Sequence, residues 1–441
     1  MSHGGDVIPM EALRIEGGRR LRGEVVVPGS KNTALAVLSC IPLATEPIVL
    51  RNVPLVSDVR TKLQLLEEFG CTVEWREETL FLDPRGIQQH EPTEESLRQI
   101  RTSFYLLGPV LARLGRAVLP MPGGCRIGAR PVDYHLKGLS AMGAKIELTG
   151  GRYVATADKL VGTEIYLDYP SAGATQHLMA TACLAEGVTT IQNAAMEPEI
   201  GALAEFLNGM GARIEGAGTS MVTITGVREL GGTDFRIPED RLQAGTYLLA
   251  GAVTGGDVSV RGVWSEPLTA LINKLREADV DIEEGTDLIR ASSKGRPKAT
   301  NVRTMPYPGF PTDMQQPFAV LLAIARGRSS IVETIYESRI GHVQELLRMG
   351  AEMHVQGRST VIDGVPKLRG ATVEASDLRA GAALVIAGLA AEGTTDVRNI
   401  HFIDRGYQDF EQSLRGLGAS IERIETDSRE GSAHGSGVKS S

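Results

Sequence analysis

Aromatic residues are scarce in this chain, at 5% of 441 positions, which argues against a surface built for stacking bases. Positive charge is not in excess either: the formal net charge is −8, whereas general nucleic-acid binding needs a basic face to neutralise phosphates. No nucleic-acid partner is expected. The four cysteines, Cys40, Cys71, Cys125 and Cys183, form no CxxC pair and have no histidine at metal-ligand spacing. No metal site is therefore expected, and Cys40, Cys71 and Cys183 read as buried, reduced thiols in apolar surroundings. The longest apolar run, around 382–391, falls short of the roughly 20 residues that span a bilayer. With no signal-peptide pattern at the start, the expectation is a cytoplasmic protein without a membrane partner. P-loop, GxGxxG, HExxH and GxSxG motifs are all missing, which removes nucleotide hydrolysis, dinucleotide redox and ordinary hydrolase chemistry.

What the chain has in plenty is glycine, 51 residues, and much of it is periodic. A helix-like segment ending in Gly and leading into a short strand recurs as Leu66–Val73, Leu139–Ile146, Leu207–Ile214, Leu275–Ile282, Leu346–Met353 and Leu414–Ile421. The stop positions are Gly70, Gly143, Gly211, Asp279, Gly350 and Gly418, between 68 and 73 residues apart. A left-handed residue commonly ends a helix, and Asp adopts that conformation more readily than most other residues. Each unit also carries a second, Ala-rich helix with apolar residues on nearly every face, which must be buried. The pattern predicts an α/β fold of six copies of one unit, divided into two domains of three.

One stretch interrupts the repeat. Pro122–Pro131 packs Cys125, Arg126, Arg130 and three glycines into one connector, where exposed backbone N–H groups and fork-shaped guanidinium donors suit an anion. Three Ala-rich helices also open with a cation, at Lys31, Arg101 and Arg379, against the preference of a helix N-terminus for negative charge. An anion held by both side chain and helix dipole would explain all three. Singly, each residue has a plainer reading: Lys31-Asn32 as a solvated helix start, Thr312-Asp313 and Ser376-Asp377 as N-caps, Arg405 as a surface charge. His135 reads as a satisfied hydrogen-bonding group.

Taken together, Gly29-Ser30-Lys31-Asn32, Pro122–Asp133, Phe310–Gln315, Ser376–Gly381 and Ile403–Tyr407 closely resemble the UDP-N-acetylglucosamine enolpyruvyl transferases, within the EPSP synthase-like enolpyruvyl transferase family. The resemblance runs from about Glu11 to Ile424, and the cysteine loop is specific to that group. It implies an inside-out α/β barrel in two domains, one formed by 11–30 plus 239–425 and the other by 31–238, with tails at 1–10 and 426–441. It also implies transfer of the enolpyruvyl group of phosphoenolpyruvate to the 3-hydroxyl of UDP-N-acetylglucosamine by addition and elimination, without a cofactor.

The residue roles follow from the same resemblance. Lys31, Arg130 and Arg405 would bind the phosphate and carboxylate of phosphoenolpyruvate, with Asp377 and Arg379 close by. The nucleotide sugar would fall to Asn32, Arg101, Pro131, Val132, Asp133, Ser171, Ala172, Gly173, Asp313 and Ile335. Asp313 would be the base for the sugar hydroxyl, and Cys125 an acid or covalent participant, with Lys31 completing the catalytic set. Two alternatives stay open: a 3-phosphoshikimate enolpyruvyl transferase, which lacks the cysteine loop and carries Ser where Asn32 stands, and a silent UDP-sugar-binding repeat protein. Met196, Gln243 and Ala172 depart from the family's usual residues.

Overall fold

Every residue from Leu242 to Val253 is buried in the helix Arg241–Val253, and the same all-round burial holds from Arg379 to Leu389 in the helix Leu378–Ala390. A helix without a polar face must be enclosed by other elements. The computed structural model describes residues 10–93, 103–121 and 132–426, and within them such helices are wrapped by six small sheets and a set of amphipathic helices.

Five of the sheets have four strands and one has three. In each four-stranded sheet one edge pair is parallel and the remaining pairs are antiparallel. Two early strands pair with distant partners. Met10–Glu16 lies between Thr394–Arg398 and Ser420–Thr426, and Arg22–Val26 pairs in parallel with Asp257–Arg261. Met10 itself is paired with Thr426, so ordered strand reaches one residue into each expected tail. Conversely, Asp234–Arg236 returns to pair with Ile48–Arg51.

The buried apolar residues separate into two clusters. One draws on residues between Leu13 and Val27 and between Leu242 and Ile421. The other lies between Ala34 and Ile237. The outer helices show how sequence sets their ends: Ser57–Phe69 turns Val59, Leu63, Leu66 and Phe69 inward and stops at Gly70, whose φ is 106°. All six stop positions have positive φ, including Asp279 at 62°. A side chain at five of them would be strained, whereas Asp tolerates this region.

Cys40, Cys71 and Cys183 are buried free thiols, as expected. Burial pushes Cys71 and Cys183 up to about 12, which keeps them inert at neutral pH. No helix among the described residues is long and apolar enough to cross a membrane.

Candidate functional site

Lys31 is the first residue of the helix Lys31–Cys40, capped by the Ser30 side chain, which accepts from Thr33 N–H. The backbone N–H of Lys31 donates to Asp240 Oδ2 at 3.2 Å, while Asp240 Oδ1 caps the helix Arg241–Val253. One buried carboxylate thus serves two helix N-termini from the two apolar clusters. The Lys31 ammonium meets Asp58 Oδ2 at 2.9 Å. Arg405 reaches the same carboxylate through Nε at 2.9 Å and Nη2 at 3.3 Å. Burial alone would raise the Asp58 pKa, but Lys31 and Arg405 outweigh it and lower it.

A second cluster centres on Asp313. The plainer reading of Thr312-Asp313, an N-cap, does not hold: Pro311 takes the cap position and no side chain caps this helix. The reason is competition from distant donors: Arg339 Nη1 donates to Asp313 Oδ1 at 2.7 Å, and Arg379 Nε to Oδ2 at 3.1 Å. Two charge-assisted bonds, one from each arginine, outweigh a local backbone bond. Burial would raise the Asp313 pKa, but the two guanidinium groups hold it well below the usual carboxylate range. Asp377 does act as an N-cap, accepting from Arg379 and Ala380 N–H.

The two clusters are joined. Arg379 Nη1 donates to the Tyr407 hydroxyl at 3.0 Å, and Tyr407 sits two residues from Arg405. Between them Gly406 permits a close approach: a Cβ there would lie 3.2 Å from Lys31 Cδ and 2.6 Å from Leu378 Cδ2. Gln243 fixes the same loop by donating to the Gly406 carbonyl at 3.0 Å. Lys31 and Arg379, two of the three cations expected to need an external anion, therefore already face protein carboxylates, Asp58 and Asp313.

Other expected site residues lie further out. Asn32 is half-buried beside Lys31, and Ile335 is half-buried on the connector that also carries Arg339. Ser171 caps the helix Ala172–Ala182, in which a Cβ on Gly173 would come within 2.2 Å of the Tyr105 hydroxyl. Val132 and exposed Asp133 begin the helix Asp133–Ala141. Among the described residues, no hydrogen bond or ion pair ties these last two groups to Asp58 or Asp313. Arg101, Cys125, Arg130 and Pro131 lie outside the described residues, as do the terminal segments 1–9 and 427–441. His135 is a buried hydrogen-bonding group, its Nδ1 at 2.9 Å from His177 Nδ1. Sequence reasoning missed Asp58, Glu333 and Arg339. Arg339 had one available signal, since it ends the connector that contains Ile335.

A family model described as EPSP synthase (3-phosphoshikimate 1-carboxyvinyltransferase) matches residues 15–414. The UDP-N-acetylglucosamine 1-carboxyvinyltransferase 3 of Caldanaerobacter subterraneus subsp. tengcongensis is 49% identical over 415 residues, 94% of this chain and 100% of that one. A UDP-N-acetylglucosamine 1-carboxyvinyltransferase of Trichlorobacter lovleyi is 48% identical over 416 residues, 94% and 99% of the two chains. The chain belongs to the UDP-N-acetylglucosamine 1-carboxyvinyltransferases, within the EPSP synthase family. Solved relatives share the mixed α/β architecture of this 1-carboxyvinyltransferase chain. The enolpyruvyl transferase NikO from Streptomyces tendae superposes with a TM-score of 0.86 at 26% identity, covering 95% of this chain and 100% of its own. An EPSP synthase from Acinetobacter baumannii gives 0.73 at 20% identity over 95% and 100%, a likeness of fold alone.

Proposed function

We propose that this chain transfers the enolpyruvyl group of phosphoenolpyruvate to the 3-hydroxyl of UDP-N-acetylglucosamine and releases phosphate, the first committed step of peptidoglycan synthesis. The observation that carries the reading is the pairing of Lys31 and Arg405 on one carboxylate, joined through Tyr407 to an Asp313 carboxylate held by Arg339 and Arg379. Cations gathered in this way suit a substrate with a phosphate and a carboxylate.

In the reaction the sugar oxygen loses its proton and forms a bond to C2 of phosphoenolpyruvate as C3 gains a proton; the C2–O bond to phosphate then breaks as C3 gives up a proton, which leaves the enol ether and inorganic phosphate. Asp313 takes the hydroxyl proton. Between two arginines it is a weak base, so an anionic substrate that draws Arg379 to itself would raise its basicity as the site fills. Asp58 holds Lys31 and Arg405 until substrate anions compete for them. Arg130 completes the phosphoenolpyruvate site, and Cys125 acts from its glycine loop as acid or covalent participant. Asn32, Arg101, Pro131, Val132, Asp133, Ser171, Ala172, Gly173 and Ile335 bind the nucleotide sugar, with Asp377 setting the turn before Arg379.

The finer architecture we propose is the inside-out barrel of six units in two domains, 11–30 plus 239–425 and 31–238. The division of buried apolar residues, the partners of the two early strands and the positive φ at all six stop positions support it. We place the reaction in the cytoplasm, where both substrates and reduced thiols such as Cys40 belong.

The test is phosphate release. It is expected only when phosphoenolpyruvate and UDP-N-acetylglucosamine are both present. Release with shikimate 3-phosphate instead would assign the sister activity, and none with either acceptor would leave a binding protein. The sister activity is disfavoured because relatives at 45–49% identity carry the nucleotide-sugar name, while EPSP synthases of known structure share only 20%.

A further inference from the structure

Glu333 is 3% exposed, and among the described residues its carboxylate is held only by neutral donors. Oε1 accepts from Thr304 Oγ1 at 2.8 Å and from the backbone N–H groups of Ile335 and Tyr336 at 2.7 and 3.0 Å. Oε2 accepts from Thr312 Oγ1 at 2.8 Å. One oxygen thus shapes the connector that carries Ile335, and the other grips the first residue of the helix Thr312–Ala323, next to Asp313.

The connection continues from Thr312. Its hydroxyl, which donates to Glu333, accepts from Arg339 Nη1 at 3.0 Å, and the same nitrogen donates to Asp313 Oδ1 at 2.7 Å. The Arg339 guanidinium lies 5.6 Å from the centre of the Tyr336 ring, and its carbonyl accepts from Gln315 Nε2 at 2.7 Å. Connector and helix are therefore locked at several points, all reached from one carboxylate. Burying a charge is costly unless its hydrogen-bonding capacity is filled, and here four donors fill it.

We infer that Glu333 is a positioning residue that sets the Asp313 carboxylate against the nucleotide-sugar end of the site, so that occupation of the Ile335–Tyr336 connector fixes the base in register with the acceptor hydroxyl. The inference rests on the function proposed above. Binding energy from a non-reacting part of a substrate raises turnover only when it is transmitted to the reacting groups. The path Ile335 and Tyr336, Glu333, Thr312, Arg339, Asp313 is such a transmission in hydrogen bonds.

The experiment compares steady-state phosphate release by the full-length enzyme and by Glu333→Gln, Glu333→Ala and Thr312→Val, with thermal unfolding of each. Misplacement of a reacting group by about 1 Å can cost ~100-fold, so Glu333→Ala should lower kcat by about that factor while KM for phosphoenolpyruvate stays within roughly threefold. Glu333→Gln should keep kcat within about tenfold of the parent, because its carbonyl can still accept from the Ile335 and Tyr336 N–H groups and its NH2 can donate to Thr312. Thr312→Val, which removes the hydroxyl that bonds both Glu333 and Arg339 while leaving the Glu333 bonds within the connector in place, should lower kcat as Glu333→Ala does, and it decides the matter if the alanine variant does not fold. Losses that merely follow the unfolded fraction, or that appear equally in both KM values with kcat preserved, would overturn the inference. A parent enzyme inactive on UDP-N-acetylglucosamine would instead sink the proposed function and this inference with it.

Discussion

Asp58 and Arg405, 347 residues apart in the chain, form a bidentate pair at 2.9 and 3.3 Å, and Lys31 closes on the same carboxylate at 2.9 Å. The Asp58 and Lys31 side chains are each only 11% exposed, so two cations share one buried carboxylate. Such a cluster is stable while its carboxylate is present and strained without it.

Removal of that carboxylate therefore has a definite cost. Asp58→Ala leaves two facing cations without their shared partner and should lower stability by ~3 kcal/mol. Urea unfolding midpoints measure this directly, and a change within about 0.5 kcal/mol would mean the cluster is solvated rather than buried.

Asp313 offers a kinetic prediction. Asp313→Asn keeps the shape but cannot take the hydroxyl proton, so kcat should fall by roughly 10²–10⁴. Retention of kcat within about tenfold would assign the base elsewhere.

The interior of the helix layer around Lys62 supplies a pH dependence. Burial lowers the Lys62 pKa from 10.5 to about 7. Between pH 7 and 10.5 the unfolded chain holds a proton there that the native state does not, so stability rises with pH across that window. The slope is about 1.4 kcal/mol per pH unit for a single group, and it should vanish in Lys62→Met. The buried pair of histidines acts at the other end. Burial lowers His135 to about 4 and His177 well below its usual value, so stability should fall as pH drops from 6.5 toward 4. Denaturant midpoints from pH 4 to 10 test both limbs.

Cys125 provides a covalent readout. An epoxide phosphonate such as fosfomycin should add to it, because the sequence sets Arg126 and Arg130 close to the thiol, a composition suited to a thiol nucleophile and an anionic phosphonate. Intact mass should show one adduct, absent in Cys125→Ser; no adduct, or one that persists in the variant, would remove Cys125 from the site.

The helix stops at Gly70, Gly143, Gly211, Asp279, Gly350 and Gly418 were legible because a backbone constraint leaves the same residue signature at each recurrence. The cations at Lys31 and Arg379 were legible for a similar reason, as they contradict a general helix preference. Asp58 was not, since an acid in the first turn of a helix is ordinary and its partner Arg405 lies in a distant segment. For Thr312 and Asp313 the plainer reading, an N-cap, does not hold, because local patterns favour the nearest acceptor and Pro311 takes the cap position. In the fold, Arg339 and Arg379, 26 and 66 residues further on, reach Asp313. Glu333 carried no signal, because four neutral donors drawn from three segments leave no charge pattern.

The placement of Met10–Glu16 between Thr394–Arg398 and Ser420–Thr426 also bears on the order in which the protein can be built on a ribosome. The three sheets between Ile48 and Arg236 contain only strands from that stretch, so they can assemble while translation continues. The sheet holding Met10–Glu16 must wait for the last strand to emerge. Among the described strands Met10–Glu16, interior in that sheet, precedes the others in the chain and is among the last to be paired, which leaves its edges in need of protection during synthesis.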